Sequence, residues 1–377
     1  MITHLPITPI EELSAWSGQL ETMAREPLEY CPDFPKIAAR FEAWWHQELL
    51  DRPIFIGASV DPASGRRVNR RLDLLRSPDD WFAAKLADLQ VIHRVGDALP
   101  SIRADFGPVL LGGMLGGTLE FGSDTGWTHA FIDDEWSNAP DWVLRDNNEW
   151  WQLLRTLSAR VASEAPGRFL CCTPDLGGSG DVLLNLRGSS ELCLDVMMRP
   201  DTVRDAVDAI YPAWHRAFVE LYRIAMGQGA GVVHWLGLWS NRPHVVPACD
   251  FNYMIGPDAF NALLLPDIAR QAATVGRAIF HLDGPGAARH IDALLAVPDL
   301  NIQFTPGSGS PSIAPWIEMF QKVQARGRSL LVITKPEEVL TLCDALRPEG
   351  LGILLETAPP PQELDALFES LCRKYGC

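Results

Sequence analysis

Cysteine is scarce and scattered: eight in 377 residues, with Cys171 and Cys172 adjacent and no Cys-x-x-Cys anywhere. That excludes a disulfide scaffold and a structural zinc knuckle, and leaves reduced, mostly buried thiols, the pattern of a cytoplasmic protein. Long apolar runs are also missing. No stretch approaches the ~18 consecutive apolar residues of a membrane span, and Met1–Pro9 has no charged segment leading into an apolar one, so no secretory signal is read. Positive charge is the minority sign, 32 Lys and Arg against 48 Asp and Glu, for a net charge of −16. This speaks against nucleic acid or an anionic membrane as partner. Basic residues are dense only at Arg66, Arg67, Arg70 and Arg71. No Gly-x-Gly-x-x-Gly stands between a strand and a helix, so the dinucleotide fingerprint is absent.

What is present is apolar mass. Hydrophobic residues make up 47% and charged residues 21%, enough for a large core. Residues 1–35 read as a mixed, Pro-containing lead-in with helical character, and 36–377 as one domain. Ala38, Phe41, Trp44, Trp45 and Leu49 recur at helical spacing over 37–50, and Pro53 stops that helix. Residues 53–60 follow as a buried strand, 61–75 as an exposed excursion and 77–95 as a helix. Residues 100–140 are the least regular, and 140–165 read as a long helix. From there strands at 168–173, 231–238, 278–282, 300–304, 329–333 and 352–355 alternate with helices at 200–226, 256–277, 287–295, 311–325, 336–346 and 361–375. Such alternation predicts an α/β fold with buried parallel strands. Long regular helices without a dinucleotide loop favour a single (β/α)8 TIM barrel over an open doubly wound sheet. Either fold puts its chemistry past the carboxyl ends of strands.

Applied to this sequence, that rule selects a short set of residues. His281-x-Asp283 is the sharpest pair, because alternate strand positions face the same side, and Gly284-Pro285-Gly286 then lets the backbone turn beside a ligand. The alternative is a histidine satisfied by its neighbouring carboxylate. Glu356, ending the last strand, could complete a His/Asp/Glu metal set or stand as a solvated rim carboxylate. Asp175, Asp181, His234 and Asp250 are the acid–base candidates; the two earlier aspartates could equally cap the helix that follows. Trp235, Trp239, Asn252 and Gln303 could line a substrate pocket, with core packing the other reading for the tryptophans.

Five segments carry a family resemblance: Arg40-Phe41-Glu42-Ala43-Trp44-Trp45, Leu50-Asp51-Arg52-Pro53, Asp105-Phe106-Gly107-Pro108, Leu186-Arg187-Gly188 and Phe280-His281-Leu282-Asp283-Gly284-Pro285-Gly286. Over about 36–375 they resemble the uroporphyrinogen decarboxylase-like superfamily, and within it the corrinoid-dependent, trimethylamine-corrinoid-associated methyltransferase homologues. The resemblance implies a (β/α)8 barrel with its pocket at the carboxyl ends of the strands. In the zinc methyltransferases of the superfamily, a His-x-Cys pair and a later Cys hold the metal that activates a thiol. Here His281 keeps the first position, Asp283 takes the second, and Glu356, Thr357 and Ala358 stand where the later Cys is expected. What the resemblance then implies is a divalent metal on oxygen and nitrogen ligands, zinc first among them. The N-terminal arginine pair of the porphyrinogen decarboxylases has no counterpart here, which speaks against that reaction.

The expected function is metal-assisted methyl transfer or demethylation on a small molecule. No Asp-x-His-x-x-Gly cobalamin segment occurs, so any corrinoid would arrive on a separate carrier protein. A metal-dependent lyase or hydrolase acting on a hydroxylated or carboxylated substrate is the alternative. A non-catalytic binding barrel is a third, supported by the missing cysteines. A homodimer is compatible with all of them.

Overall fold

The computed structural model describes residues 8–65, 68–123, 125–307 and 312–377. Arg66, Arg67 and the expected helix start at Pro311 lie outside them. Eleven strands are present among the described residues: β1 (Ile54–Val60), β2 (Ile92–Gly96), β3 (Ser101–Arg103), β4 (Leu119–Phe121), β5 (Gly126–Thr128), β6 (Leu170–Thr173), β7 (Val232–His234), β8 (Ala278–Asp283), β9 (Leu300–Thr305), β10 (Leu330–Thr334) and β11 (Leu351–Leu355). One sheet has the order β2-β1-β11-β10-β9-β8, and a second β3-β6-β7; β4 and β5 pair alone. Every pairing in the two larger sheets is parallel except β1 with β2. Strands and helices alternate, and β9, β10 and β11 are buried almost throughout, as parallel strands covered on both faces require.

The expected single ring of eight parallel strands is not what the hydrogen bonds draw. The ladders form two arcs, and neither closes. One gap follows β7, expected to run on to Leu238. It ends at His234 because the chain turns there: the Gly237 N–H donates to the His234 carbonyl at 2.7 Å, and Gly237 has φ +73°. The chain regains extended form beside β8 through two parallel bridges, Val245 to Ala278 and Ala248 to His281. The other gap lies between β1 and β3. Here the helix Pro78–Val91 stops earlier than its sequence suggests, and Ile92–Gly96 doubles back antiparallel to β1.

Side chains stitch both gaps. Asp97 is fully buried and binds Phe55 twice, its amide donating to the Phe55 carbonyl at 2.6 Å and its carboxylate accepting the Phe55 N–H at 2.9 Å. The same carboxylate takes Arg40 at 2.5 Å and Arg52 at 2.6 Å. At the gap after β7 the His234 ring meets the Thr173 hydroxyl and the His244 carbonyl, while the Tyr222 hydroxyl donates to that carbonyl at 3.1 Å.

The lead-in contributes to the core: helix Leu13–Met23 buries Trp16 and Leu20, and Trp16 stacks on Tyr222 at 5.4 Å. All eight cysteines are free thiols. No helix among the described residues is long and apolar enough to cross a membrane.

Candidate functional site

β8 carries His281 and Asp283 towards one side, as alternation along a strand dictates. The neighbouring segment brings a third ligand by register. Ala248 is the bridge partner of His281, and the His281 N–H donates to the Pro247 carbonyl at 2.9 Å. Two residues further along each parallel segment, Asp250 arrives beside Asp283. One ligand atom from each of Asp250, His281 and Asp283 lies within 4.8 Å of the other two. Ligands at roughly 2.0–2.6 Å from a shared cation are separated by such distances.

The surroundings prepare the imidazole. β9 pairs His281 with Gln303, and the Gln303 Oε1 meets His281 Nδ1. An acceptor there keeps the proton on Nδ1 and leaves the Nε2 lone pair for a ligand. The Trp235 ring stands edge-on to the imidazole, centroids 4.8 Å apart. Tyr253, exposed, lies over the turn after β8: a Cβ on Gly286 would stand 2.5 Å from its ring.

Two more carboxyls face this group from β6. Asp175 accepts the Gly177 N–H at 2.8 Å. Asp181, in the first turn of helix Ser179–Arg187, accepts the Phe251 N–H at 3.0 Å and the Gly178 N–H at 3.4 Å. This ties the β6 loop to the 245–250 segment, so closely that a Cβ on Gly178 would stand 2.2 Å from the Ala248 carbonyl oxygen. Burial pushes Asp181 well above the usual carboxylate range, and the charges of Asp250 and Asp175 push it further. Asp175 is raised by burial, with His281 opposing and Asp250 and Asp105 adding. Asp283 is raised by burial too, with His281 again opposing. These crowded carboxyls favour holding protons or a cation.

β3 ends in a charge-balanced unit. Burial would raise Asp105, but Arg103 and Arg70, at 3.0 and 2.7 Å, outweigh it and hold the carboxylate ionised.

The structure thus brings together Asp175, Asp181, Asp250, His281, Asp283, Gln303 and Trp235. Four other candidates do not belong to this candidate cation group. Glu356 is exposed past the end of β11 and contributes no atom to the ligand group. Trp239 is not a pocket wall: it is fully buried, edge-on to Phe34, with its indole N–H given to Asn241. His234 is locked in the seam described above, and burial drives it down to about 4. Asn252 is buried two residues beyond Asp250, its backbone carbonyl bound by His290 and its side-chain Oδ1 without a hydrogen-bond partner. Arg103 and Tyr253 stand outside the residues the sequence singles out, and Arg70 is marked there only as part of a basic run. Arg103 ends a strand, so the strand-end rule could have found it; Arg70 and Tyr253 follow no period.

The chain matches no family model and no curated protein sequence. Among solved structures, a methyltransferase from Methanosarcina mazei superposes with a TM-score of 0.57, at 12% identity, over 89% of this chain and 98% of that one. The likeness is one of fold: the chain has a methyltransferase-like α/β architecture.

Proposed function

We propose that this chain is a metal-assisted methyltransferase or demethylase of the uroporphyrinogen decarboxylase-like kind, working on a small molecule with a corrinoid carried by a separate protein. The observation that carries the reading is the convergence of Asp250, His281 and Asp283; likeness in fold to a protein named a methyltransferase supports it. The two hydrogen-bonded arcs and their stitched gaps are read as one (β/α)8 ring, with these ligands at its carboxyl end.

A thiolate-bound zinc does not fit, since no cysteine joins the ligand group. One nitrogen and two carboxylate oxygens do fit zinc or manganese with positions left for substrate. A cation there would act as a Lewis acid, lowering the pKa of a bound acceptor. The protein's own groups do the rest. Gln303 orients the imidazole, Asp175 holds or releases a proton beside it, and Asp181 fixes the loop against Phe251. Trp235 shields one side of His281 from water.

The oxygen-rich donor set favours a second reading, a metal-dependent lyase or hydrolase on a hydroxylated or carboxylated substrate. Metal analysis of the purified protein and a methylcobalamin assay with candidate thiols separate the readings. The proposal expects about one equivalent of bound divalent metal and consumption of the Co–methyl absorption. Metal without that consumption favours the lyase or hydrolase; no metal uptake leaves a binding barrel.

A further inference from the structure

We infer that Gln303 is the positioning residue of this site and serves two partners: its Oε1 sets the His281 tautomer, and its Nε2 donates to an oxygen of the ligand bound beside that imidazole. The inference rests on the reading of Asp250, His281 and Asp283 as cation ligands.

The argument starts from what the carboxamide has and has not spent. Gln303 is fully buried on β9, directly across the ladder from His281. Its Oε1 meets His281 Nδ1, while its Nε2 is buried without a hydrogen-bond partner. The two ends share one carbon, so the unspent N–H group necessarily sits beside the imidazole. Rotating the amide by half a turn would present a donor to Nδ1, force the ring proton onto Nε2 and remove the lone pair a cation needs. The orientation that suits the metal is therefore the one that leaves the amide N–H groups unpaired. A buried donor left unpaired is costly, and folded proteins keep such groups where something else supplies the acceptor.

The chemistry of that acceptor follows. An amide N–H asks for a carboxylate, carbonyl or alkoxide oxygen, and offers nothing to an ammonium or a methyl group. A ligand with an oxygen within reach of the cation, and another within reach of Gln303, satisfies both; a carboxylate does so with its two oxygens. The inferred ligand class is a small molecule bearing a carboxylate or a comparable oxygen acceptor.

Two variants of the full chain separate the two roles. Gln303→Glu keeps an acceptor for Nδ1–H but replaces the donor with a second acceptor. Gln303→Met removes both while keeping the volume. The protein is stripped with a chelator and titrated with Co²⁺, reading affinity and visible spectrum; acetate is then added to the Co²⁺-loaded form. The expected result is parent-like or tighter Co²⁺ binding in Gln303→Glu, with acetate affinity reduced about tenfold or more. Gln303→Met should lose about 10–100-fold in Co²⁺ affinity, as removal of a group orienting a metal ligand does, with an altered spectrum. Melting of the stripped proteins near the parent's temperature confirms that both variants fold. Parent-like Co²⁺ binding by Gln303→Met overturns the tautomer role, and parent-like acetate binding by Gln303→Glu overturns the donor role. A parent protein that takes up no Co²⁺ instead defeats the metal reading, and this inference with it.

Discussion

At the scale of single residues, the site and the scaffold predict opposite responses to losing a charge. Asp283 is raised by burial, so its ionised form is held at a cost. Asp283→Asn keeps the shape and removes the charge. The metal-free variant should melt at or above the parent's temperature at pH 7 while losing cation binding; early melting with binding retained would mark a structural pair instead. His281→Ala should also abolish binding with the fold standing. Asp97 is the contrast, because its carboxylate answers two buried guanidiniums and the Phe55 amide. Asp97→Ala strands Arg52, leaves Arg40 with Asp51 as its one carboxylate partner, and should cost about 3–5 kcal/mol. Urea unfolding measures it, and a loss within error of zero would contradict the stitching role.

Among the elements, the β6 loop and the 245–250 segment meet with no space between them. Gly178→Ala drives a Cβ into the Ala248 carbonyl oxygen, a backbone atom that no rotamer change can move. The segment must shift, taking Asp250 with it, so the variant should lose cation affinity as well as about 1–3 kcal/mol of stability. Calorimetric titration against Gly180→Ala, whose Cβ meets the Cys249 and Leu264 side chains at 3.0–3.1 Å, tests whether the effect is positional. The same contact shows why part of the site was legible in the sequence and part was not. From residue 278 onward strand and helix alternate cleanly, so β8 to β11, and with them His281, Asp283 and Gln303, follow from pattern. Asp250 was legible as an acid following a strand, but not as a member of the candidate metal group. Its place beside Asp283 comes from two isolated bridges after an irregular excursion, and no periodicity encodes those. Glu356 shows the converse: alternation along β11 is legible, but the strand stops at Leu355 and leaves the next side chain in solvent. The helix at 13–23 follows the helical character expected of the lead-in, and the one at 179–187 the helix expected after Asp175 and Asp181, but their bounds, and the helix at 189–198, were not legible, because Pro or Gly interrupts each region's pattern.

For the molecule as a whole, two sets of groups pull the pH dependence of stability in opposite directions. His234 is driven from 6.5 to about 4, burial outweighing its bond to the His244 carbonyl. Its folded pKa lies below the unfolded one, so between these values the unfolded chain binds the extra proton and stability rises with pH. The shift corresponds to roughly 3 kcal/mol when fully expressed. Asp175 and Asp181 are raised above 3.8, so their stabilising protons are lost as pH climbs through their folded values. Burial lowers His244, His215 and His290 as well, so in the metal-free protein His234→Gln should reduce, without abolishing, the rise in melting temperature between pH 4 and 6.5; an unchanged slope would refute it. The sheet order has a consequence of another kind, in the making of the chain. β1 pairs with β11 at Ile54 and Gly352, so it waits about 300 residues for its partner. At about 5–20 residues per second this is on the order of tens of seconds. Through that interval β2 can cover one edge of β1, while the other presents Ile54, Phe55 and Ile56 with their backbone unpaired. The nascent protein is thus born with an open apolar seam that only its last strand closes, and a ribosome that stalls before residue 351 releases a chain that has nothing to close it with.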